Sequence, residues 1–216
     1  MQGIEDIYRH HHSTKRGVDF VVLGEERGAF LKENIGTGKK VLDIGCRDGE
    51  LTKYFAEGNE VLGVDVDKVA LARAEEKLGI KTLHIDLNSS WDEIPKNHFD
   101  VVVAAEIIEH LYYPEIVLKK IQEVLKPGGI LLGTVPNAFS LKTRIKLFFL
   151  SKKNTALQDP THINHFTVVE LQEKLRSVFV EVKIFGFAKR VSKLARVFPQ
   201  MFAHSLFFTA KKEKSS

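Results

Sequence analysis

Residues 41–50 read VLDIGCRDGE, and this stretch decides the fold. Apolar Val41 and Leu42 predict a buried strand, and Gly45 and Gly49 predict a tight turn directly after it. Glycine has no Cβ atom, so such a turn lets the backbone come close to a bound ligand. We therefore expect a ligand-binding loop at the carboxyl end of the first strand.

The bulk composition fits one globular domain. The chain has 216 residues, of which 44% are hydrophobic and 28% charged, which is enough to bury a sizeable core. Its single cysteine, Cys46, excludes an internal disulfide and favours a reducing compartment. The sequence shows no signal-peptide pattern and no apolar run near the ~18 residues of a membrane span. We expect a cytoplasmic protein, with peripheral contact to the inner membrane face left open.

Strand and helix patterns alternate along the chain. Strand-like runs lie at 41–44, 61–65, 82–86, 99–105, 130–135, 180–187 and 205–211. Helical patterns lie at 18–35, 49–57, 67–78, 114–126 and 167–178. The KPGG sequence at 126–129 predicts a break before the fifth strand. Continuous apolar strands alternating with helices predict an α/β fold, a doubly wound, mainly parallel sheet with helices on both faces.

Acidic residues lie at or near the ends of three of these strand-like runs, as Asp43, Asp65 and Asp86. Doubly wound sheets bind ligands at the carboxyl ends of their strands. A dinucleotide-binding fingerprint would need glycine where this chain has Arg47 and Glu50. The sequence therefore lacks the phosphate-binding motif of nicotinamide-dependent dehydrogenases, and this class is disfavoured. Carboxylates instead suit a ligand with hydroxyl and amine donors, such as the ribose and adenine of an adenosyl group.

From about residue 38 to its end, the chain resembles the class I S-adenosylmethionine-dependent methyltransferases. Five motifs occur in the order that this family shows: VLDIGCRDG, VLGVD, HID, AAEIIEHL and LKPGGILLGTVPN. The resemblance implies a Rossmann-like, seven-stranded sheet with an antiparallel last strand, and S-adenosyl-L-methionine as cofactor. It also implies one domain over 1–212, with an N-terminal helical cap at 1–37, a lid or substrate-recognition insertion at 138–165, and a disordered tail at 213–216.

The resemblance assigns cofactor contacts to residues at the strand ends. The predicted set is Asp43, Gly45, Cys46, Arg47, Gly49, Asp65, Val66, Asp86, Leu87 and Glu106. Asp43 would serve the methionine end of the cofactor, Asp65 the ribose, and Asp86 the adenine. Arg47 replaces the family's middle glycine, and it either points to solvent or contacts the methionine carboxylate. A carboxylate after a strand also commonly caps the next helix, and this alternative stays open for Asp86 above all.

The segment EIIEHL, at 106–111, is similar to the EVxEHL segment of ubiquinone-biosynthesis O-methyltransferases and small-RNA 2′-O-methyltransferases. The Asn/Asp-Pro-Pro-Tyr signature of amide and nucleobase N-methyltransferases does not occupy this place, so oxygen is favoured as the acceptor atom. Glu109 and His110 are the predicted catalytic residues, with His110 as general base because an imidazole titrates near pH 6.5.

Two alternatives remain for the same segment. Glu106, Glu109 and His110 can share one face of a helical turn, and with His162 or His165 from DPTHINHF they form a candidate divalent-metal site. In the other alternative, Glu109 is solvent-exposed and His110 packs near the cofactor without a chemical role.

The segment SLKTRIKLFFLSKKN, at 140–154, mixes apolar and basic residues. This pattern predicts contact with an anionic membrane, as in the ubiquinone-pathway enzymes that the chain resembles, or a lid over the active site. RVSKLARVFPQMF, at 190–202, is predicted to be a helix packed between the last two strands. The sequence does not decide whether the methyl acceptor is a small molecule, a lipid-linked molecule or a glycan, and it does not decide the oligomeric state. An RNA 2′-O-methyltransferase or a non-catalytic adenosylmethionine-binding protein is the alternative, although widely spread basic residues disfavour nucleic acid.

Overall fold

The computed structural model describes residues 21–188 and 192–214, and seven strands within these residues form one sheet. The strands are β1 Lys40–Ile44, β2 Glu60–Asp65, β3 Lys81–His84, β4 Phe99–Ala105, β5 Leu125–Pro136, β6 Val180–Phe187 and β7 Ser205–Lys211. Their order across the sheet is β3-β2-β1-β4-β5-β7-β6. Strand β1 pairs in parallel with β2 and β4, and β2 with β3, whereas β7 runs antiparallel to both β5 and β6. The predicted fold is confirmed.

Helices connect most of these strands. They are α1 Gly24–Ile35, α2 Lys53–Ala56, α3 Lys68–Leu78, α4 Pro114–Val124, α5 Leu141–Phe148, α6 Val168–Arg176, α7 Ser192–Val197 and α8 Pro199–Phe202. Short 3₁₀ turns lie at Ile108–His110 and Ala156–Gln158. No helix within the described residues combines the length and the apolar character that crossing a membrane requires.

The chain forms two compact units. The first comprises the described residues up to Val103 together with Val124–Lys126. Its centre is β1, where Val41 and Leu42 are fully buried as their apolar side chains predict. The side chain of Asp67 starts α3 by accepting hydrogen bonds from the backbone N–H groups at 69 and 70, which satisfies donors at the helix N-terminus.

The second unit comprises Ala104–Glu123 and the described residues from Pro127 onward. Its core lies where β5 pairs with β7, and Leu131, Leu132 and Phe208 are fully buried there. A Cβ atom on Gly133 would lie 2.4 Å from the Ala104 carbonyl oxygen. Glycine at this strand position therefore lets two backbone segments approach closely.

Local patterns failed in three places. The helix predicted at 49–57 shrinks to α2, because residues 46–52 form tight turns, among them the hydrogen bond from Gly49 N to Cys46 O. The break predicted at KPGG is wrong, since β5 runs through it and Gly128 and Gly129 both pair with Lys212. The third strand ends at residue 84, two residues before Asp86. Residues 1–20 of the predicted N-terminal cap, and 215–216 of the predicted tail, lie outside the described residues.

Candidate active site

The loop after β1 closes onto the end of β2. The N–H groups of Gly45 and Cys46 both donate to the Val64 carbonyl oxygen, at 2.7 and 3.2 Å. Gly45 and Gly49 have φ angles of 75° and 79°, in the region that favours glycine. A Cβ atom on Gly49 would lie 2.6 Å from Leu78 Cδ1, so glycine also allows the loop to pack on α3. This loop is the glycine turn that the sequence predicts.

Asp65, at the end of β2, is buried and holds this loop in place. Its Oδ2 accepts the N–H of Arg47 at 3.0 Å, and its Oδ1 accepts the N–H of Asp67 at 2.9 Å. Arg47 adopts a left-handed φ of 48°, and the hydrogen bond that its N–H donates to Asp65 stabilises this conformation. Because Asp67 caps α3, capping does not account for Asp65. Each carboxylate oxygen has a second lone pair, so Asp65 keeps acceptor capacity beyond these two bonds.

Asp43, in β1, is buried beside Thr52. The Thr52 hydroxyl donates to Asp43 Oδ2 at 2.6 Å. Burial raises the pKa of Asp43 to about 7; the Thr52 hydrogen bond opposes this shift and the charge of Asp65 adds to it. Thr52 was not among the predicted site residues, because nothing in the local pattern connects it with a residue nine positions earlier. Burial also raises the pKa of the neighbouring Cys46 thiol well above its usual range, which keeps the thiol protonated.

We predict that Asp43→Asn stabilises the fold at alkaline pH. The pKa of Asp43 is about 7 in the fold against an ordinary 3.8, so between these pH values the folded protein keeps a proton that the unfolded chain releases. The free energy of unfolding therefore falls as pH rises through this window. The asparagine variant should be more stable by about 2–4 kcal/mol at pH 8, and the difference should shrink toward pH 4. Thermal unfolding at several pH values measures this, and a variant that melts below wild type at pH 8 would contradict it.

The residues predicted to face adenine lie in a turn beyond β3. Asp86 Oδ1 accepts both the backbone N–H and the side-chain amide of Asn88, at 2.9 and 3.0 Å. The Leu87 carbonyl oxygen accepts the indole N–H of Trp91, and the Val66 carbonyl oxygen lies 3.0 Å from His84 Nε2. Asp86 thus closes a turn of its own and caps no helix, since residues 87–90 are not helical.

Glu106, in the second unit, takes an unusual backbone conformation directly after β4. Its φ angle is 57°, a region that side chains with a Cβ rarely adopt. Thr134 bonds both the backbone and the side chain of Glu106. The Glu106 N–H donates to the Thr134 carbonyl oxygen at 2.8 Å, and the Thr134 hydroxyl donates to Glu106 Oε1 at 3.2 Å. Thr134 is fully buried in β5. Sequence patterns did not identify it, because its partner lies 28 residues earlier.

Glu109, His110 and His162 form a compact group, here called the Glu–His cluster. One potential ligand atom from each lies within 4.8 Å of the others, and the two imidazole rings are 4.8 Å apart at their centroids. Glu109 is 1% exposed, so the alternative that placed it in solvent is wrong. The structure brings together three of the four candidate metal ligands, whereas Glu106 bonds to Thr134.

The segment that follows the second 3₁₀ turn holds the Glu–His cluster. The N–H groups of Ile163 and Asn164 both donate to the Glu109 carbonyl oxygen at 2.9 Å. The Asn164 side-chain amide donates to the Leu111 carbonyl oxygen at 2.6 Å. Asn164 therefore positions the cluster, and it was missed because about 50 residues of chain separate it from its partners.

Both histidines of the cluster are oriented by backbone carbonyl groups. His110 Nδ1 lies 2.8 Å from the Thr161 carbonyl oxygen, and His162 Nδ1 lies 2.9 Å from that of Ala156. A carbonyl oxygen only accepts, so each Nδ1 carries a hydrogen, and the neutral form of each ring would present its lone pair at Nε2. Metal-binding histidines are commonly held in this way. The cluster thus has the chemistry of either a proton acceptor or a site for a divalent cation.

The strand order, the glycine turn after β1 and the buried Asp65 at the end of β2 define a Rossmann-like fold, which binds ligands at the carboxyl ends of its strands. A family model described as a methyltransferase domain matches residues 19–178. The chain belongs to this family of methyltransferase domains.

Known relatives agree with this assignment. The chain is 36% identical over 114 residues to the ubiquinone biosynthesis O-methyltransferase of Pseudomonas aeruginosa strain LESB58, covering 49% of each sequence. It is 35% identical over 107 residues to the protein of the same name from Pseudomonas fluorescens strain Pf-5, covering 46% of each. The chain thus spans about half the length of the curated relatives that it matches.

Solved structures share the fold. A SAM-dependent methyltransferase from Archaeoglobus fulgidus has a TM-score of 0.67 at 21% identity, over 95% of this chain and 99% of that one. An S-adenosylmethionine-dependent methyltransferase from Mesorhizobium loti has a TM-score of 0.64 at 19% identity, over 91% of this chain and all of that one.

Proposed function

We propose that the protein transfers the methyl group of S-adenosylmethionine to an oxygen atom of a small or lipid-linked molecule. The observation that carries this proposal is the Glu–His cluster, where a buried carboxylate adjoins two imidazoles with lone pairs at Nε2. The partial identity to O-methyltransferases supports oxygen as the acceptor.

In the proposed reaction, His110 Nε2 takes the proton of the acceptor hydroxyl. The acceptor oxygen then forms its bond to the methyl carbon as the bond from that carbon to sulfur breaks, and the electron pair stays on sulfur to give S-adenosylhomocysteine. The sulfonium is already an activated electrophile, so orientation and proton removal are what the protein supplies. Glu109 stabilises the imidazolium that forms, because an anionic neighbour favours its charged state.

Asp65 and the loop after β1 are the proposed cofactor site. Asp65 would accept the two ribose hydroxyls through the lone pairs that its backbone hydrogen bonds leave. Asp43 would contact the methionine end of the cofactor. Arg47 lies in the loop after β1, where its side chain would bond the methionine carboxylate.

The test is methyl transfer from isotope-labelled S-adenosylmethionine to paired acceptors. An alkyl-substituted dihydroxybenzene should gain a labelled methyl ether, whereas the matched diaminobenzene should gain no label. Label on the amine alone, or on neither compound although the cofactor binds, would overturn the assignment to oxygen.

A divalent cation in the Glu–His cluster is a second candidate for activating the acceptor. Glu109, His110 and His162 would hold it, and a bound cation lowers the pKa of a coordinated hydroxyl group. One carboxylate and two imidazoles favour a borderline ion such as Zn²⁺ or Mn²⁺ over Mg²⁺, which prefers oxygen ligands.

Chelation separates the two candidates. With His110 as a metal-free base, EDTA should leave kcat unchanged. A loss of about tenfold or more that Mn²⁺ or Zn²⁺ restores better than Mg²⁺ would instead assign the cation, and His162→Ala should then abolish the restoration. Calorimetric titration of the chain with Mn²⁺ provides a readout that is independent of activity.

We also propose that α5 contacts an anionic membrane. Phe148, Phe149 and Leu150, at its end, are 80%, 73% and 97% exposed. Lys142, Arg144 and Lys146 lie in the same helix, and apolar side chains mixed with basic ones are typical of helices that lie on anionic lipid. This contact would suit an acceptor with a lipid tail.

A further inference from the structure

The helices α7 and α8 expose apolar side chains that packing does not explain. Val197 and Phe198 are 68% and 55% exposed, and Leu194 and Met201 are 46% and 40% exposed. Residues 190 and 191 of the helix predicted at 190–202 lie outside the described residues, and the rest of that range forms two short helices, α7 and α8. Ala195 is buried against the sheet, while the opposite face of the same helix faces water.

One buried side chain connects this helix pair with the start of α5. The Asn137 amide donates to the carbonyl oxygens of Pro199, Gln200 and Ala203, at 3.1, 3.2 and 3.0 Å. Its own Oδ1 accepts the N–H of Phe139 at 3.1 Å, directly before α5. Carbonyl groups at a helix C-terminus need such donors, and α8 contacts α5. Asn137 therefore fixes α8 beside the start of α5.

The charge of the chain is concentrated in the same two segments. Residues 137–158 contain five basic and no acidic residues, and residues 182–212 contain seven basic and no acidic residues. The remainder of the chain has 20 basic against 28 acidic residues. The net charge of +4 is thus the sum of a strongly basic part and an acidic part.

We propose that α5 and the α7–α8 pair together form one surface that binds anionic phospholipid. The two segments combine exposed apolar side chains with a positive net charge, and each of these properties favours anionic lipid over water. The inference rests on the proposed membrane contact of α5 and extends it to residues that follow β6. It does not depend on the methyl acceptor.

Vesicle binding of the full chain tests this surface. Phosphatidylcholine vesicles with and without phosphatidylglycerol are sedimented with wild type, with Val197→Ser/Phe198→Ser, and with Phe148→Ser/Phe149→Ser. Val169→Ser on α6 is the matched control, because Val169 is also an exposed apolar helix residue. Each double variant should lower binding to the anionic vesicles by about tenfold through lost apolar burial, and added salt should weaken the wild type. Val169→Ser should bind as wild type.

The outcomes are distinguishable. If Val197→Ser/Phe198→Ser binds as wild type while Phe148→Ser/Phe149→Ser does not, the two-segment surface is overturned and the α5 contact stands. If wild type shows no preference for anionic vesicles, both fail, whereas methyl transfer is judged by its own assay. Loss of self-association in the double variants, with vesicle binding unchanged, would make this surface an interface between copies and would also overturn the proposal. Circular dichroism of each variant confirms that it is folded.

Discussion

Replacing His110 by alanine is expected to lower kcat by about 10²–10⁴-fold, the usual contribution of a positioned acid or base. The His110 ring is the member of the Glu–His cluster that the Thr161 carbonyl group orients, with its lone pair at Nε2. Removal of the ring eliminates the proton acceptor, and it equally removes one ligand if a cation activates the acceptor. Single-turnover kinetics with labelled S-adenosylmethionine measures the effect on the chemical step.

The affinity for S-adenosylmethionine should stay within about twofold of wild type in this variant, since His110 is assigned to the acceptor and not to the cofactor. His98→Ala is the matched control, because His98 precedes β4 and contacts Lys40 and Phe99. It should leave kcat unchanged. An active His110→Ala enzyme would remove the proposed base, and a large loss in His98→Ala would show that kcat responds to general destabilisation.

Replacing Asp65 by asparagine is expected to weaken S-adenosylmethionine binding by about 10²-fold. The asparagine amide would place a donor where Arg47 N–H or Asp67 N–H now finds an acceptor, so the loop after β1 loses its anchor. The variant also offers fewer acceptors to the ribose, and an unsatisfied buried polar group costs about 1–3 kcal/mol. Isothermal titration calorimetry with S-adenosylmethionine measures the change in Kd.

Asp100→Asn serves as the control for this second variant. Asp100 is a carboxylate near the start of β4 that bonds Lys126 and the Lys40 N–H. The same chemical change there should leave the Kd for the cofactor unaltered. A wild-type Kd in Asp65→Asn would refute the assignment of Asp65 to the ribose.

Much of the fold followed from local patterns. The predicted bounds of β4, β6 and β7 agree with the structure at both ends, because apolar runs bounded by turn residues are a local property of strands. The helix predicted at 49–57 failed because residues 46–52 form tight turns, in which the Gly49 N–H donates to the Cys46 carbonyl oxygen, so that α2 begins only at Lys53. KPGG failed because pairing with Lys212 extends β5 through a sequence that breaks isolated strands.

The site was predictable in part, for the same physical reason. Asp65 and Glu109 follow strands that are visible in the sequence, so their positions could be located. Residues that support the site from distant parts of the chain could not be located: Thr134 bonds Glu106 across 28 residues, and Asn164 bonds Leu111 across 53. Such contacts depend on how the strands are ordered, and a single sequence read along its length carries no signal of them.

The left-handed backbone of Glu106 has a consequence for laboratory evolution. A residue with a Cβ loses stability at a φ of 57°, and glycine would not. A library screened for heat resistance alone should therefore accumulate Glu106→Gly, while a screen for product formation should return glutamate. The two screens would therefore select different residues at position 106.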